Sequence, residues 1–307
     1  LRTDLTDAFN QIAELILDFP ISSTEVLYIF LPVLLFEAAL AIDVRRVIED
    51  AAPILLLAVI AVLVATAVVG LALWPLAGMP LVVCLLLASI VATTDPSAVV
   101  AIFRDLGAPG RLTRLIEGES LLNDATAIAI FTLLLRTLLL GHEPTLSEAV
   151  GIFLYSLLGG ALIGFVGGRA FMMVVPWLRD SRLAEMTLSL ALPYVVYILS
   201  ERYFGVSGVI AVVTAGLVVS ALGRYRLDPD NRQFMEDVWA QLGFWASSLV
   251  FVLASILVPR LMFGVGLFDF LLIGVVALGA LVARAIVYVT HGSGVAAYSG
   301  PNPLPIA

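Results

Sequence analysis

Four acids and one base stand out in otherwise apolar stretches of this chain. They are Glu37 in LLFEAAL, Asp95 in VATTDPSAV, Glu119 and Asp124 in ESLLNDATAIAIF, and Arg284 in LVARAIV. A charge at mid-bilayer costs at least about 2.5–3.5 kcal/mol, so each position needs a partner or a task. Ser120 and Asp124 are four residues apart, and Ser120 and Asn123 three apart. Helical geometry therefore stacks a hydroxyl, an amide and a carboxylate on one face. All three offer hard oxygen atoms, which suit small hard cations and not soft metals. Pro96 has no N–H, and its ring disfavours helical geometry at Asp95. A break is predicted at Thr93–Thr94–Asp95–Pro96, freeing carbonyls near residues 92–94. Unsatisfied backbone at membrane depth is tolerated only where it lines protein or a wet cavity, and interrupted helices there commonly line ion sites.

The elements that must carry these residues are membrane spans. The chain has 307 residues, of which 61% are hydrophobic and 13% charged. Soluble domains are about 45–50% apolar and about 25% charged, so the composition points to a helical polytopic membrane protein. Nine apolar stretches are predicted to span, at about 25–42, 51–75, 80–103, 116–140, 149–178, 183–204, 207–222, 238–260 and 267–290, with boundaries good to a few residues. Residues 1–24 read as an interfacial segment and 291–307, rich in Gly and Pro, as a loop-like tail, the whole forming one membrane domain. The single cysteine, Cys84, excludes a disulfide framework, and His142 and His291 flank spans instead of sitting within them.

Charge placement sets orientation and depth. There is no lysine, and arginines gather on alternate loops: Arg45, Arg46, Arg104, Arg111, Arg114, Arg179, Arg182, Arg224, Arg226 and Arg232 on one side, against Arg202 and Arg260 on the other. The first set marks the cytoplasmic side. From the corresponding span ends, Glu37 lies roughly 8 Å deep and Asp95 and Asp124 roughly 12 Å, at 1.5 Å per residue. Three carboxylates from three helices thus converge on one layer.

TTDPSAVVAIF followed by EGESLLNDATAIAIF resembles the monovalent cation:proton antiporters of the NhaP and animal sodium/proton exchanger type. LLFEAAL before them, and GVSGVIAVVTAGL and LVARAIV after them, fit the same order over about 25–290. The paired TDP and ESLLND stretches are highly specific; the others alone are weak. The resemblance implies an all-α, inverted-repeat antiporter fold with a broken TDP helix and an ion-binding core at 80–140. It also implies a plasma-membrane homodimer that exchanges sodium or a similar cation for protons, with no cofactor. Asp124 would carry cation and proton in turn. Ser120, the backbone around Thr94, and Glu37 would help ligate the ion. Asn123 and Asp95 would pair to steady two helices, and Glu119 would pair with Arg284. An Asn-Asp pair goes, in that family, with electroneutral exchange. The family usually has spans before the first one found here and a further broken helix and span after the last, so the chain is expected to be a piece of a longer antiporter.

Other classes compete with that expectation. Gly205-Val206-Ser207-Gly208 matches the short GxSG pattern of intramembrane serine proteases, which need a histidine on a neighbouring span. A cation channel would use the same oxygen ligands without a countermoving proton. A non-transporting or regulatory relative is the third alternative. Nothing in the composition suggests nucleic-acid binding, and the expected surroundings are lipid.

Overall fold

The computed structural model of the chain describes residues 23–42, 51–94, 110–141, 145–178, 181–262 and 265–298, together with positions 44, 99, 102, 103, 106 and 107. Among the described residues nine α-helices follow one another: α1 (Ser23–Ala41), α2 (Ala51–Ala77), α3 (Leu81–Val91), α4 (Gly110–Leu140), α5 (Leu146–Val174), α6 (Arg182–Ile198), α7 (Gly208–Arg226), α8 (Pro229–Met262) and α9 (Leu267–Tyr298). Seven of them, α2 and α4 to α9, are long and apolar enough to cross a membrane; α1 and α3 carry the shorter apolar stretches Tyr28–Ala41 and Leu81–Val91. The chain is an all-α, multi-pass membrane protein. Each predicted span falls on a helix in the predicted order. The interfacial segment read at 1–24 lies outside the described residues except for Ser23 and Thr24, which open α1.

Two boundaries differ from the sequence reading for a physical reason. The tail was expected to be loop from 291, yet α9 continues to Tyr298 through Gly292, Ser293 and Gly294. Glycine weakens a helix by only about 1 kcal/mol relative to alanine. Next to a membrane, satisfying backbone groups within the segment outweighs that penalty. Pro229 likewise opens α8 as its first helical residue, where the missing N–H is harmless, nine residues ahead of the predicted span start at 238.

The helices form two bundles that share α4. In one, α2 packs against α9, α3 and α4. Its buried core is made of small side chains, with Val62, Ala65, Ala127, Ile130 and Ala283 in one cluster and Val69, Cys84 and Ala88 in another. In the other, α7 packs against α5, α1 and α6, and α8 closes over α1. A single larger core unites Phe36, Met172, Val196, Val212 and Trp239, with the Phe36 and Trp239 rings 4.7 Å apart.

The α5–α7 contact explains the run GGALIGFVGG. A Cβ on Gly160 would stand 2.5 Å from the Ser207 carbonyl oxygen, and one on Gly164 would collide with the Ala211 carbonyl. Small residues let the backbones meet where lipid offers no hydrophobic driving force. At the arginine-rich end, Arg226 Nη1 donates to Met172 O at 3.0 Å and ties the ends of the two helices. At the other end, α6 runs into a π-turn at Leu199–Phe204. Gly205, at φ 62°, reverses the chain, and Ser207 Oγ then accepts from Ile210 N to cap α7.

Candidate functional site

Three helices of the first bundle meet where α3 stops. Helix α3 ends at Val91, Ala92 forms a turn, and Thr93 and Thr94 are non-helical. Two carbonyls that lose their helical donors are taken up by side chains. Ser120 Oγ of α4 donates to Thr94 O at 3.0 Å, and Arg284 Nη2 of α9 donates to Ala92 O at 3.3 Å. The interruption predicted from the TDP triplet therefore falls at 92–94, while Asp95 and Pro96 themselves lie outside the described residues.

Arg284 is the hub of this junction. Its Nη1 stands 3.0 Å from Glu119 Oε1, and its Nη2 lies 2.6 Å from Thr94 Oγ1. Both members of the ion pair are largely withdrawn from solvent, at 17% and 11% side-chain exposure. A guanidinium suits this task, because its planar fork serves a carboxylate, a hydroxyl and a carbonyl at once. One arginine thereby locks α9 to α4 and to the interrupted end of α3.

Asn123, one turn after Glu119, is fully buried. Its Nδ2 donates to Thr94 Oγ1 at 3.3 Å and to Glu119 Oε1 at 3.4 Å. Its Oδ1 is buried with no hydrogen-bond partner among the described residues. Buried polar atoms are nearly always paired, so an orphaned acceptor calls for an explanation. Asp124 follows directly, half-buried, one helical turn beyond Ser120. The expected Asn123–Asp95 pair lies outside the described residues.

Glu37 is placed differently from these. It sits on α1 in the second bundle, against α8: a Cβ on Gly243 would stand 2.9 Å from its Cγ and 3.1 Å from its Oε2. The structure thus gathers Thr94, Glu119, Ser120, Asn123 and Arg284 into one hydrogen-bonded junction beside Asp124. Glu37 faces the α1–α8 seam.

Three features escaped the sequence reading. Freed carbonyls near 92–94 are expected from the sequence, whereas the uptake of the Ala92 carbonyl by Arg284 is not. A cavity of about 260 Å³ opens between α4, α5 and the π-turn, with Thr132, Arg136, Ser156, Glu201 and Ser207 among its lining. It starts on α4 at Ile128, the next turn after Asp124 on the side away from the arginine-rich loops. A span-end acid, Glu201, was the available signal; its Oε1 accepts from Gly208 N at 3.0 Å. Third, Glu185 is buried and accepts from Asn231 Nδ2 at 3.0 Å across the α6–α8 contact. The GxSG reading of Ser207 meets a folding role, because the hydroxyl caps α7 and the Ser207 amide donates to Ser156 O.

Comparison with known proteins gives the family. The family model described as "Sodium/hydrogen exchanger, transmembrane" matches residues 8–299. The chain is 39% identical over 230 residues to the Na(+)/H(+) antiporter ApNhaP of Aphanothece halophytica, covering 74% of this chain and 44% of that protein. It is 36% identical over 233 residues to the Na(+)/H(+) antiporter NhaP of Pseudomonas aeruginosa, covering 74% and 54%. Against the Sodium/hydrogen exchanger 7 of Arabidopsis thaliana it is 33% identical over 243 residues, covering 76% and 20%. The chain thus spans between a fifth and about half the length of these curated relatives. With the family model matched along nearly its whole length, the chain belongs to the transmembrane sodium/hydrogen exchanger family.

Proposed function

We propose that this chain forms the cation- and proton-binding part of a plasma-membrane antiporter, exchanging sodium or a similar monovalent cation for protons at Asp124. The observation that carries the reading is the junction at the end of α3. A freed carbonyl and a hydroxyl of Thr94 are bonded to Ser120 and Asn123, immediately beside a half-buried carboxylate in a membrane-spanning helix. Hard oxygens at an interrupted helix are the donor set a small cation needs when it sheds water. The printed names of the relatives, two Na(+)/H(+) antiporters and a sodium/hydrogen exchanger, point the same way.

The division of labour follows from charge. Glu119 is neutralised by Arg284, so that acid serves the scaffold of the junction. Asp124 is then the carboxylate assigned to turnover, with Ser120 and the Thr94 backbone as neutral ligands. Glu37 enters as a further ligand only in a state that brings α1 closer to α4. A proton and a cation compete for one carboxylate, and that exclusion couples the two fluxes without a separate gate. With Asn123 in place of a second acid, one charge moves each way and exchange is electroneutral. The functional protein is a homodimer on this reading.

The test is exchange by the full-length antiporter in vesicles. Asp124→Asn should abolish sodium-driven proton movement while leaving expression and melting temperature close to wild type. Sodium-driven proton flux at the wild-type rate in that variant overturns the assignment. Sodium current in the absence of any countermoving proton would instead establish a channel.

A further inference from the structure

Arg169 of α5 takes part in none of the polar contacts described above. Helix α5 presents an outward stripe of Tyr155, Leu158, Leu162, Phe165, Val166 and Met173, each more than half exposed, which Trp177 extends just past the helix end. The spacing of three or four residues is the period of one helical face. In a membrane such a face meets acyl chains. Arg169 falls within this stripe, four residues after Phe165 and four before Met173. It is half-buried, and among the described residues it has no hydrogen-bond or ion-pair partner. The acceptor for its guanidinium does not stand among the described residues.

Depth decides which acceptor that is. Arg169 lies five residues before the end of α5 at Val174, so its Cα sits roughly 7 Å inside the helix end. Trp177, at 86% exposure, follows in the 3-10 turn Val175–Trp177, at the level where indoles mark the membrane–water boundary. The same end carries Arg182, Arg224 and Arg226, the arginine-rich side of the protein. An arginine stem can lie along apolar surface and bring its head to the phosphate layer. There the planar fork fits a phosphodiester in a bidentate way.

We propose that Arg169 and Trp177 form a binding site for the headgroup of an anionic phospholipid in the arginine-bearing leaflet, the phosphate seated on the Arg169 guanidinium and the acyl chains on the α5 stripe. The lipid supplies the acceptor that the described residues do not offer and fixes the depth of α5, against which the central helix α7 is packed. This inference needs only the membrane setting of the chain and stands whether or not Asp124 carries the transported ion.

The experiment is native mass spectrometry of the full-length protein released from detergent, titrated with equal amounts of phosphatidylglycerol and phosphatidylcholine. Wild type should retain phosphatidylglycerol preferentially, and Arg169→Gln should lower that preference about fivefold, the effect of one basic residue near an anionic surface. Arg169→Lys should keep a reduced part of it, since the charge stays while the fork is lost. A melting curve with and without phosphatidylglycerol supplies the second readout: the lipid raises the melting temperature of wild type but not of Arg169→Gln. Unchanged phosphatidylglycerol retention in Arg169→Gln overturns the proposal. So does loss of the dimer with lipid retention intact, which would assign the guanidinium to an acid on a second copy.

Discussion

The two bundles that share α4 are built on opposite principles. Around α7, helices touch through glycine, alanine and valine over long stretches, and one large apolar core runs from Phe36 to Trp239. Some polar contacts there, such as Asn231 to Glu185 and Arg226 to Met172 O, lie toward the helix ends, and Trp239 Nε1 donates to Ser189 Oγ inside the core. Around α2 the apolar clusters are smaller, and the bonds joining α3, α4 and α9 are polar and lie within the spans. Close packing gives one half a single arrangement. Hydrogen bonds to an interrupted helix give the other half polar atoms at membrane depth, and these are the atoms that ion chemistry requires.

The sharpest way to break that contrast is to remove the hub of the polar half. Arg284→Ala leaves Glu119 buried with its charge uncompensated, a loss of about 3–5 kcal/mol, and exchange per folded molecule should fall to background. The double variant Glu119→Ala/Arg284→Ala should recover part of the stability, because the stranded charge is gone. Melting temperature in detergent and exchange in vesicles read the two effects separately. If both single variants and the double variant melt together, the ion pair contributes nothing.

The matching perturbation of the packed half is Gly164→Leu. Its side chain meets the Ala211 backbone, which cannot swing aside, so destabilisation of about 1–3 kcal/mol or more is expected from overpacking. Exchange per folded molecule should stay near wild type. A folded Gly164→Leu protein without activity would show that the two halves are not separable in this way.

The smallest effect is expected at Ser120→Ala. One neutral hydrogen bond to Thr94 O disappears, about 1 kcal/mol in stability. If the hydroxyl also ligates the cation, the half-saturating sodium concentration should rise several-fold with little change in maximal rate. Equal loss in both parameters would place the hydroxyl in scaffold support only.

Much of this organisation was legible in the residues alone. Apolar runs of span length, the arginine bias of alternate loops and the TDP break each follow from local rules of helix length, charge and proline geometry. So does the common face of Ser120, Asn123 and Asp124, since a helix repeats every 3.6 residues whatever surrounds it. The continuation of α9 through GSGVAAY was misread, because glycine signals that end helices in water lose force where unpaired backbone is more costly.

What packing alone decided are the partners. Glu119 and Arg284 lie 165 positions apart, and their pairing was an expectation from resemblance until the α2-centred bundle brought α9 beside α4. No local rule sends Nη2 of Arg284 to both Ala92 O and Thr94 Oγ1, turns the Asn123 amide toward Thr94, or seats Glu37 against Gly243. Periodicity fixes the face a side chain occupies, because that depends on neighbours along one helix. Which atom it meets depends on how separate helices cross, and that is settled only when the whole set of close contacts is satisfied together.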